Sequence, residues 1–185
     1  SGNTFGYNYN ESALFADNRD AIVISDDSHA ISLQDNTIHN SGQNPNTSTA
    51  QGISIRDNAQ NISALRNSIY NNSAVAIDLN SNGVTNNDEL DTDSGPNGLL
   101  NHPGYVDIEE NGGNTEVTYT IDVPAGNYRI EFFSSNQAPQ ISNSGQAQTY
   151  LDFDTITSDG TGLQQFTKVL SGTGYDNLGL TATEL

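Results

Sequence analysis

Between Asp78 and Asp93 the chain reads DLNSNGVTNNDELDTD. Five carboxylates and four asparagines stand there with one glycine and no basic residue. Counted from Asp78, side-chain oxygens fall at Asp78, Asn80, Asn82, Asn86 and Glu89, with Gly83 and Val84 between them. This is the ligand spacing of the calcium loop of helix–loop–helix sites: alternate oxygens, a sharp-turn glycine, one backbone carbonyl (Val84) and a closing glutamate. Alternation turns successive oxygens to one side while the chain wraps the ion. The first candidate ligands are therefore Asp78, Asn80, Asn82, Val84 and Glu89. Asp88, Asp91 and Asp93, with Asn97 beyond, are reserve ligands for that ion or a second. Hard oxygen donors on a flexible loop suit calcium better than magnesium, which demands tight octahedral geometry. Thr85 stands where an apolar residue normally ties such a loop to its core, and the flanks do not read as helices. The expected role of the ion is a structural clamp.

Other chemistry finds less support. Glycoside hydrolysis needs two facing carboxylates, and Asp26-Asp27 and Asp35 with Asp57 are pairs of that kind. With 23 acids in the chain, such pairs arise by chance. A polysaccharide lyase needs cations near its base, yet only Arg19, Arg56 and Arg66 lie in the first half, where they read as rim residues relieving acidic repulsion. His29, His39 and His102 lack zinc-motif spacing. Lys168, the only lysine, sits in QQFTKVL, where alternation with Phe166 turns it inward, unless Val169 is the inward residue. An inward Lys168 raises a lysine–asparagine crosslink; an edge-strand lysine discouraging aggregation is the alternative.

The elements that hold these residues repeat. Ile22-Val23-Ile24, Ile53-Ser54-Ile55 and Ile77-Asp78-Leu79 form one series. A second is Ile31-Ser32-Leu33 and Ile62-Ser63-Ala64-Leu65, and a third runs from Asn36 to Asn40 and from Asn67 to Asn71. Three short strands per repeat, each with one or two apolar residues, describe the coil of a parallel β-helix, which must stack on other coils to bury its apolar face. Gln43 to Ala50 reads as an insertion at one corner. Phe5, Tyr7 and Tyr9 have no assigned place, and Phe15 with Asn18 suits the third strand of an incomplete first coil. Asn36 with Asn67, and Asn40 with Asn71, read as corner residues that adopt left-handed backbone and bond one another along the axis.

Beyond Tyr105 the texture changes to alternating strands of an antiparallel sandwich with solvated outer faces: EVTYTIDV, YRIEFF, QTYLDFDTI, LQQFTKVL and LGLTA. Ser134 to Ala147 is too long for a tight hairpin and reads as a crossing connection. The fold expected is all-β: a parallel β-helix of about three coils over 1–79, an acidic calcium-binding linker over 80–104, and a small antiparallel Ig-like β-sandwich over 105–185.

Composition narrows the partners. The 185 residues carry 5 Lys+Arg against 23 Asp+Glu, a formal net charge of -18. Such a surface repels nucleic acid and anionic lipid. No run approaches the length of a membrane-spanning helix, so no membrane insertion is expected. There is no cysteine, which removes disulfides and thiol catalysis. The opening SGNTFGYN has neither the basic nor the apolar run of a secretory leader, and the repeat begins and stops partway, so a longer parent chain is expected.

The block Ile77 to Tyr105 resembles the closing segment of bacterial surface and secreted proteins with right-handed parallel β-helix repeats followed by a β-sandwich module. The resemblance rests on Gly83-Val84-Thr85, Asn87-Asp88, Asp91-Thr92-Asp93, Gly95-Pro96-Asn97 and Asn101-His102-Pro103, with the strand YRIEFF at Tyr128 to Phe133 following. Asn82 stands where aspartate is common, and Glu89-Leu90 where smaller residues are. The resemblance implies an extracellular or cell-surface location, and a right-handed coil, as β crossovers also favour. It leaves function open, since such helices serve both as stalks and as enzyme scaffolds. The reading is a non-enzymatic structural or adhesive module stabilised by calcium, with carbohydrate or another surface protein as partner and self-association through the coil ends. The alternative is a fragment of a carbohydrate-active β-helix enzyme, a polysaccharide lyase or glycoside hydrolase.

Overall fold

Short β-branched groups are separated by left-handed turn residues, and among the described residues the regular structure is β-strand apart from two short 3-10 turns. The structure, a computed structural model, describes residues 1–6, 20–42, 50–136 and 146–185. Tyr7, Tyr9, Phe15, Asn18, Arg19 and residues 43–49 of the insertion read over Gln43 to Ala50 lie outside the described residues. No helix among the described residues is long and apolar enough to cross a membrane.

The first half contains β1 (Thr4–Gly6), β2 (Ile22–Ile24), β3 (His29–Gln34), β4 (Thr37–His39), β5 (Ile53–Ile55), β6 (Gln60–Leu65), β7 (Ser68–Tyr70) and β8 (Ile77–Leu79). They pair in three parallel sheets, ordered β1-β4-β7, β2-β5-β8 and β3-β6. The sequence repeat is the register: Ile22 pairs with Ile53 and Ile53 with Ile77, Ile31 with Ile62, and Phe5 with Ile38 and Ile38 with Ile69. Ile24, Ile38, Ile53, Ile55, Ile62 and Ile69 bury their side chains in one shared core. The corners repeat as well. Asp26 and Asp57, Ala30 and Asn61, Asp35 and Arg66, and Asn40 and Asn71 all hold positive φ.

The asparagines divide their work. Asn40 and Asn71 take the left-handed backbone, and the Asn71 Nδ2 donates to the Asn40 Oδ1. Asn36 and Asn67 do not; they are buried and form an inward amide ladder. Asn3 donates to the Asn36 Oδ1 at 3.1 Å, Asn36 to the Asn67 Oδ1 at 2.9 Å, and Asn67 to the Leu33 carbonyl at 2.8 Å. The left-handed residue at that corner is the one before, Asp35 or Arg66.

The second half contains β9 (Gly104–Asn111), β10 (Asn114–Ile121), β11 (Gly126–Ser134), β12 (Thr149–Ser158), β13 (Gln164–Ser171) and β14 (Gly179–Glu184). They form two antiparallel sheets, ordered β13-β10-β9 and β12-β11-β14. Val117, Tyr119 and Ile121 of β10 share a core with Tyr128, Ile130 and Phe132 of β11. Solvated outer faces do not hold on β11: Glu131 is 0% and Phe133 2% exposed, because this face lies against the last turn of the parallel half.

That contact closes the parallel sheets. The Glu131 Oε2 accepts the backbone N–H of Arg66 at 2.8 Å. The Gln146 Oε1 accepts from the Asn72 backbone and side chain, each at 3.2 Å, and its Nε2 donates to the carbonyls of Ala74 at 2.7 Å and Asn72 at 3.0 Å. Ala147 bridges Ile69, adding a further rung beyond β7. The end of the long connection, read from sequence only as a crossing, therefore docks on the parallel half.

Candidate metal centre

The acidic stretch leaves β8 and splits into two structures. In the first, Asp78 pairs with Ser54 in the sheet and is 1% exposed, its carboxylate covered by Gln51 and by the loop that returns through Asn82 and Gly83. Its Oδ2 accepts from Gln51 Nε2 at 2.6 Å and from the Gly83 N–H at 3.0 Å, and its Oδ1 accepts the Asn82 N–H at 3.3 Å. Asn80, Ser81 and Gly83 hold positive φ, which curls the chain back over the carboxylate. Asp78, Asn82 and Gly83 are thus brought together by hydrogen bonds within the loop. Asn80, Asn82 and Val84 are solvent-exposed.

The second structure gathers Asp88, Asp91 and Asp93. One oxygen from each lies within 4.8 Å of the others. Neither Asp78 nor Glu89 belongs to a group of three or more such donors among the described residues. Glu89 is exposed at the start of a single 3-10 turn, Glu89–Asp91, in which Leu90 and Asp91 take positive φ. That backbone doubles the chain back and turns the acids toward one another.

Asn101 holds the group in place. It is 3% exposed; its Oδ1 accepts the Asp88 N–H at 3.0 Å, and its own N–H donates to the Asp91 Oδ1 at 2.8 Å. Its Nδ2 donates to the carbonyls of Asp88 at 2.8 Å and Asp122 at 2.7 Å. The Asp88 Oδ2 accepts the N–H and hydroxyl of Thr92 at 3.0 and 2.7 Å. Among the described residues, two buried carboxylate oxygens accept no hydrogen bond: Asp88 Oδ1 and, on the turn between β10 and β11, Asp122 Oδ1. Both are buried atoms, and an ionised oxygen in that condition is costly unless a cation meets it.

The electrostatics agree. Hydrogen bonds from Thr92 pull the Asp88 carboxyl below its ordinary value. Burial pushes Asp91 up, and the charges of Asp93, Asp88 and Asp122 push it further, against the Asn101 N–H that favours its ionised form. Asp93 is also pushed up, by burial and then by Asp88. One acid is held charged while its neighbours resist ionising beside it. A divalent cation reverses that resistance.

Calcium binds oxygens at about 2.3–2.6 Å in flexible geometry, so donors on opposite sides of one ion stand up to about 5 Å apart. The spacing of the three acids fits. Asp122 lies outside that group of three; Asn101 links its backbone carbonyl to the linker across 21 positions, and no short motif spans that gap. Asn97 faces elsewhere, its side chain bonding the backbone of Ile62.

The remaining candidates are placed as follows. Asp26 accepts from Ser25 and Asp27 from Asn58, while Asp35 makes a two-pronged pair with Arg66 at 2.8 and 2.9 Å on the exposed rim. Arg56 lies 3.9 Å from Asp57. His39 stacks on Tyr70, with ring centroids 5.2 Å apart. Lys168 lies on the side of Phe166 and Leu170, its Nζ 2.9 Å from Asp152 and donating to the Phe153 carbonyl, while Val169 faces solvent. Alternation runs through β13 without a bulge there.

Comparison with protein-family models finds no match to this chain, and comparison with curated proteins finds none.

Proposed function

We propose that the protein is a non-enzymatic structural and adhesive module of an extracellular, bacterial-type surface protein, with calcium locking its acidic linker. In this reading the three parallel sheets are the faces of a right-handed parallel β-helix of about three coils, and the antiparallel pair is an Ig-like sandwich. The observation that carries the proposal is the closure of the last coil. Asn97, Glu131 and Gln146 meet backbone or side-chain groups that a further coil would otherwise pair with. A stack ended in this way joins its neighbour as a continuous rod, which suits a spacer or a presenting arm.

The calcium site of this proposal is Asp88, Asp91 and Asp93, with Asp122 as the additional donor from the second half. An ion there ties the linker to the turn after β10. Its binding free energy adds to stability, since the unfolded chain does not assemble the site. Modules outside cells work at about 10⁻⁴–10⁻³ M calcium, so a site of modest affinity is sufficient. The Asp78 loop, with Asn80, Asn82, Val84 and Glu89, is the second locus.

A panel of immobilised neutral and uronate polysaccharides tests the adhesive reading. The expected result is retention in calcium, release by chelator, and no new reducing ends. Turnover abolished by a single carboxylate substitution would replace this reading with an enzyme.

A further inference from the structure

A cavity of about 550 Å³ lies where the last turn of the parallel sheets faces β14 and the linker. One wall is Ile55, Ile69 and Ile77; the opposite wall is Phe133, Thr181 and Thr183. Among the described residues that line it there is no Asp, Glu, Lys or Arg, in a chain with a formal net charge of -18. Charge is excluded from this space.

Its polar lining is largely occupied. Asn67 donates to Leu33, Asn97 pairs with Ile62, Gln146 pairs with Asn72 and Ala74, and Asn101 bonds Asp88 and Asp122. One polar group in the wall is unsatisfied: the Thr181 Oγ1, which is buried and without a hydrogen-bond partner. Pairing with Glu131 puts Thr181 on the face of β14 opposite Leu180 and Ala182, which point into the antiparallel core.

We infer that this cavity binds an uncharged, mainly apolar small molecule bearing one hydrogen-bonding group, which meets Thr181. A volume of this order is that of an ordinary ligand pocket, and predominantly apolar walls with few polar groups are the usual construction. The inference is independent of the calcium proposal.

The probe is N-phenyl-1-naphthylamine, an uncharged fluorophore, titrated into the folded protein in calcium and again in chelator. The expected result is a saturable, one-to-one signal that is lost on melting. 1-Dodecanol displaces it at least about tenfold more effectively than dodecanoate, whose charge the cavity cannot solvate. Ala64→Phe and Thr183→Leu, which fill the cavity from opposite walls, each weaken probe binding at least about fivefold when folding is confirmed by circular dichroism. Thr181→Val leaves the probe bound but weakens dodecanol about fivefold, the loss of one hydrogen bond. Absence of saturable binding overturns the inference. So does binding unchanged in whichever filling variant folds, or equal displacement by dodecanol and dodecanoate. Dodecanol binding untouched by Thr181→Val overturns the role of Thr181.

Discussion

The side chain of Asn97 pairs twice with the backbone of Ile62: its Oδ1 accepts the Ile62 N–H at 2.8 Å and its Nδ2 donates to the Ile62 carbonyl at 3.0 Å. A carboxamide has the donor and acceptor of a peptide unit, so one residue of an irregular linker stands in for the strand that β6 lacks. The backbone N–H of Asn97 also donates to Ala59 at 2.7 Å. Its φ of 52° is one that asparagine tolerates better than most residues.

Asn97→Ala removes both partners from a half-buried residue and adds a left-handed alanine. The expected loss is about 2–4 kcal/mol, from unsatisfied backbone groups and strain together. Asn97→Gly keeps the backbone and loses only the amide, and falls between wild type and alanine. Denaturant melts of the three proteins check this order. If glycine matches wild type, water has replaced the amide and the pairing is not stabilising.

At the neighbouring rung, Glu131 is fully buried between the Arg129 Nε at 2.8 Å and the Arg66 N–H at 2.8 Å. Arg129 in turn lies 3.7 Å from the centroid of the Phe153 ring. Glu131→Ala leaves a largely buried guanidinium and a backbone donor without their carboxylate, at a cost of about 3–5 kcal/mol. Glu131→Ala with Arg129→Leu recovers part of that loss. A double-mutant cycle on thermal stability measures it; simple additivity of the two substitutions would show that the pair is not coupled.

How legible these features are in the sequence depends on how far apart the partners lie. The parallel register is readable because each strand repeats its own apolar triplet, so Ile22, Ile53 and Ile77 announce one another. The alternation of YRIEFF likewise marks Tyr128, Ile130 and Phe132 as core. What alternation hides is the burial of the opposite face: Glu131 reads as solvated because nothing local shows that Arg66 lies over it. The clustering of Asp88, Asp91 and Asp93 follows from proximity in sequence, but the bond from Asn101 to the backbone of Asp122 leaves no trace in spacing. Asn97 reads as one more oxygen in an acidic run, and only the fold shows its side chain turned to Ile62. Asp78 reads as a ligand by position, while its carboxylate is taken up by Gln51, carried by the preceding repeat, and by the Asn82 and Gly83 backbone.

Gly52 marks where the parallel core is tightest. A Cβ there would stand 2.5 Å from the Ile69 Cγ2 and 2.7 Å from the Ala76 carbonyl oxygen, and the carbonyl belongs to backbone that cannot swing aside. Gly52→Ala is therefore expected to destabilise by about 1–3 kcal/mol, although alanine ordinarily stabilises by restricting the unfolded chain. Gly98→Ala, with no heavy atom within 4 Å but a φ of 73°, serves as a strain-only control. Equal melting of Gly52→Ala and wild type would mean that the corner yields.

Calcium and protons should compete at Asp91. Its carboxyl is raised in the folded protein by burial and by Asp93, Asp88 and Asp122. A carboxyl raised on folding contributes stability that is complete below its unfolded pKa and is lost as pH rises through the folded one. In chelator, then, ionising Asp91 works against the fold near neutrality, and Asp91→Asn is expected to match or exceed wild-type stability there. In calcium the order reverses. At a calcium concentration tenfold above Kd the ion adds about 1.4 kcal/mol, a rise in Tm of about 3–6 °C for a protein of this size. Asp91→Asn loses most of that rise. Lowering the pH through the raised pKa protonates Asp91 and weakens calcium binding at a pH where an ordinary aspartate would still be ionised. Calorimetric titration with calcium at several pH values, on wild type, Asp91→Asn and Asp78→Ala, measures this. Proton release on binding and loss of the ion in Asp91→Asn are the expected results. Binding intact in Asp91→Asn but lost in Asp78→Ala would move the ion to the loop that begins at Asp78.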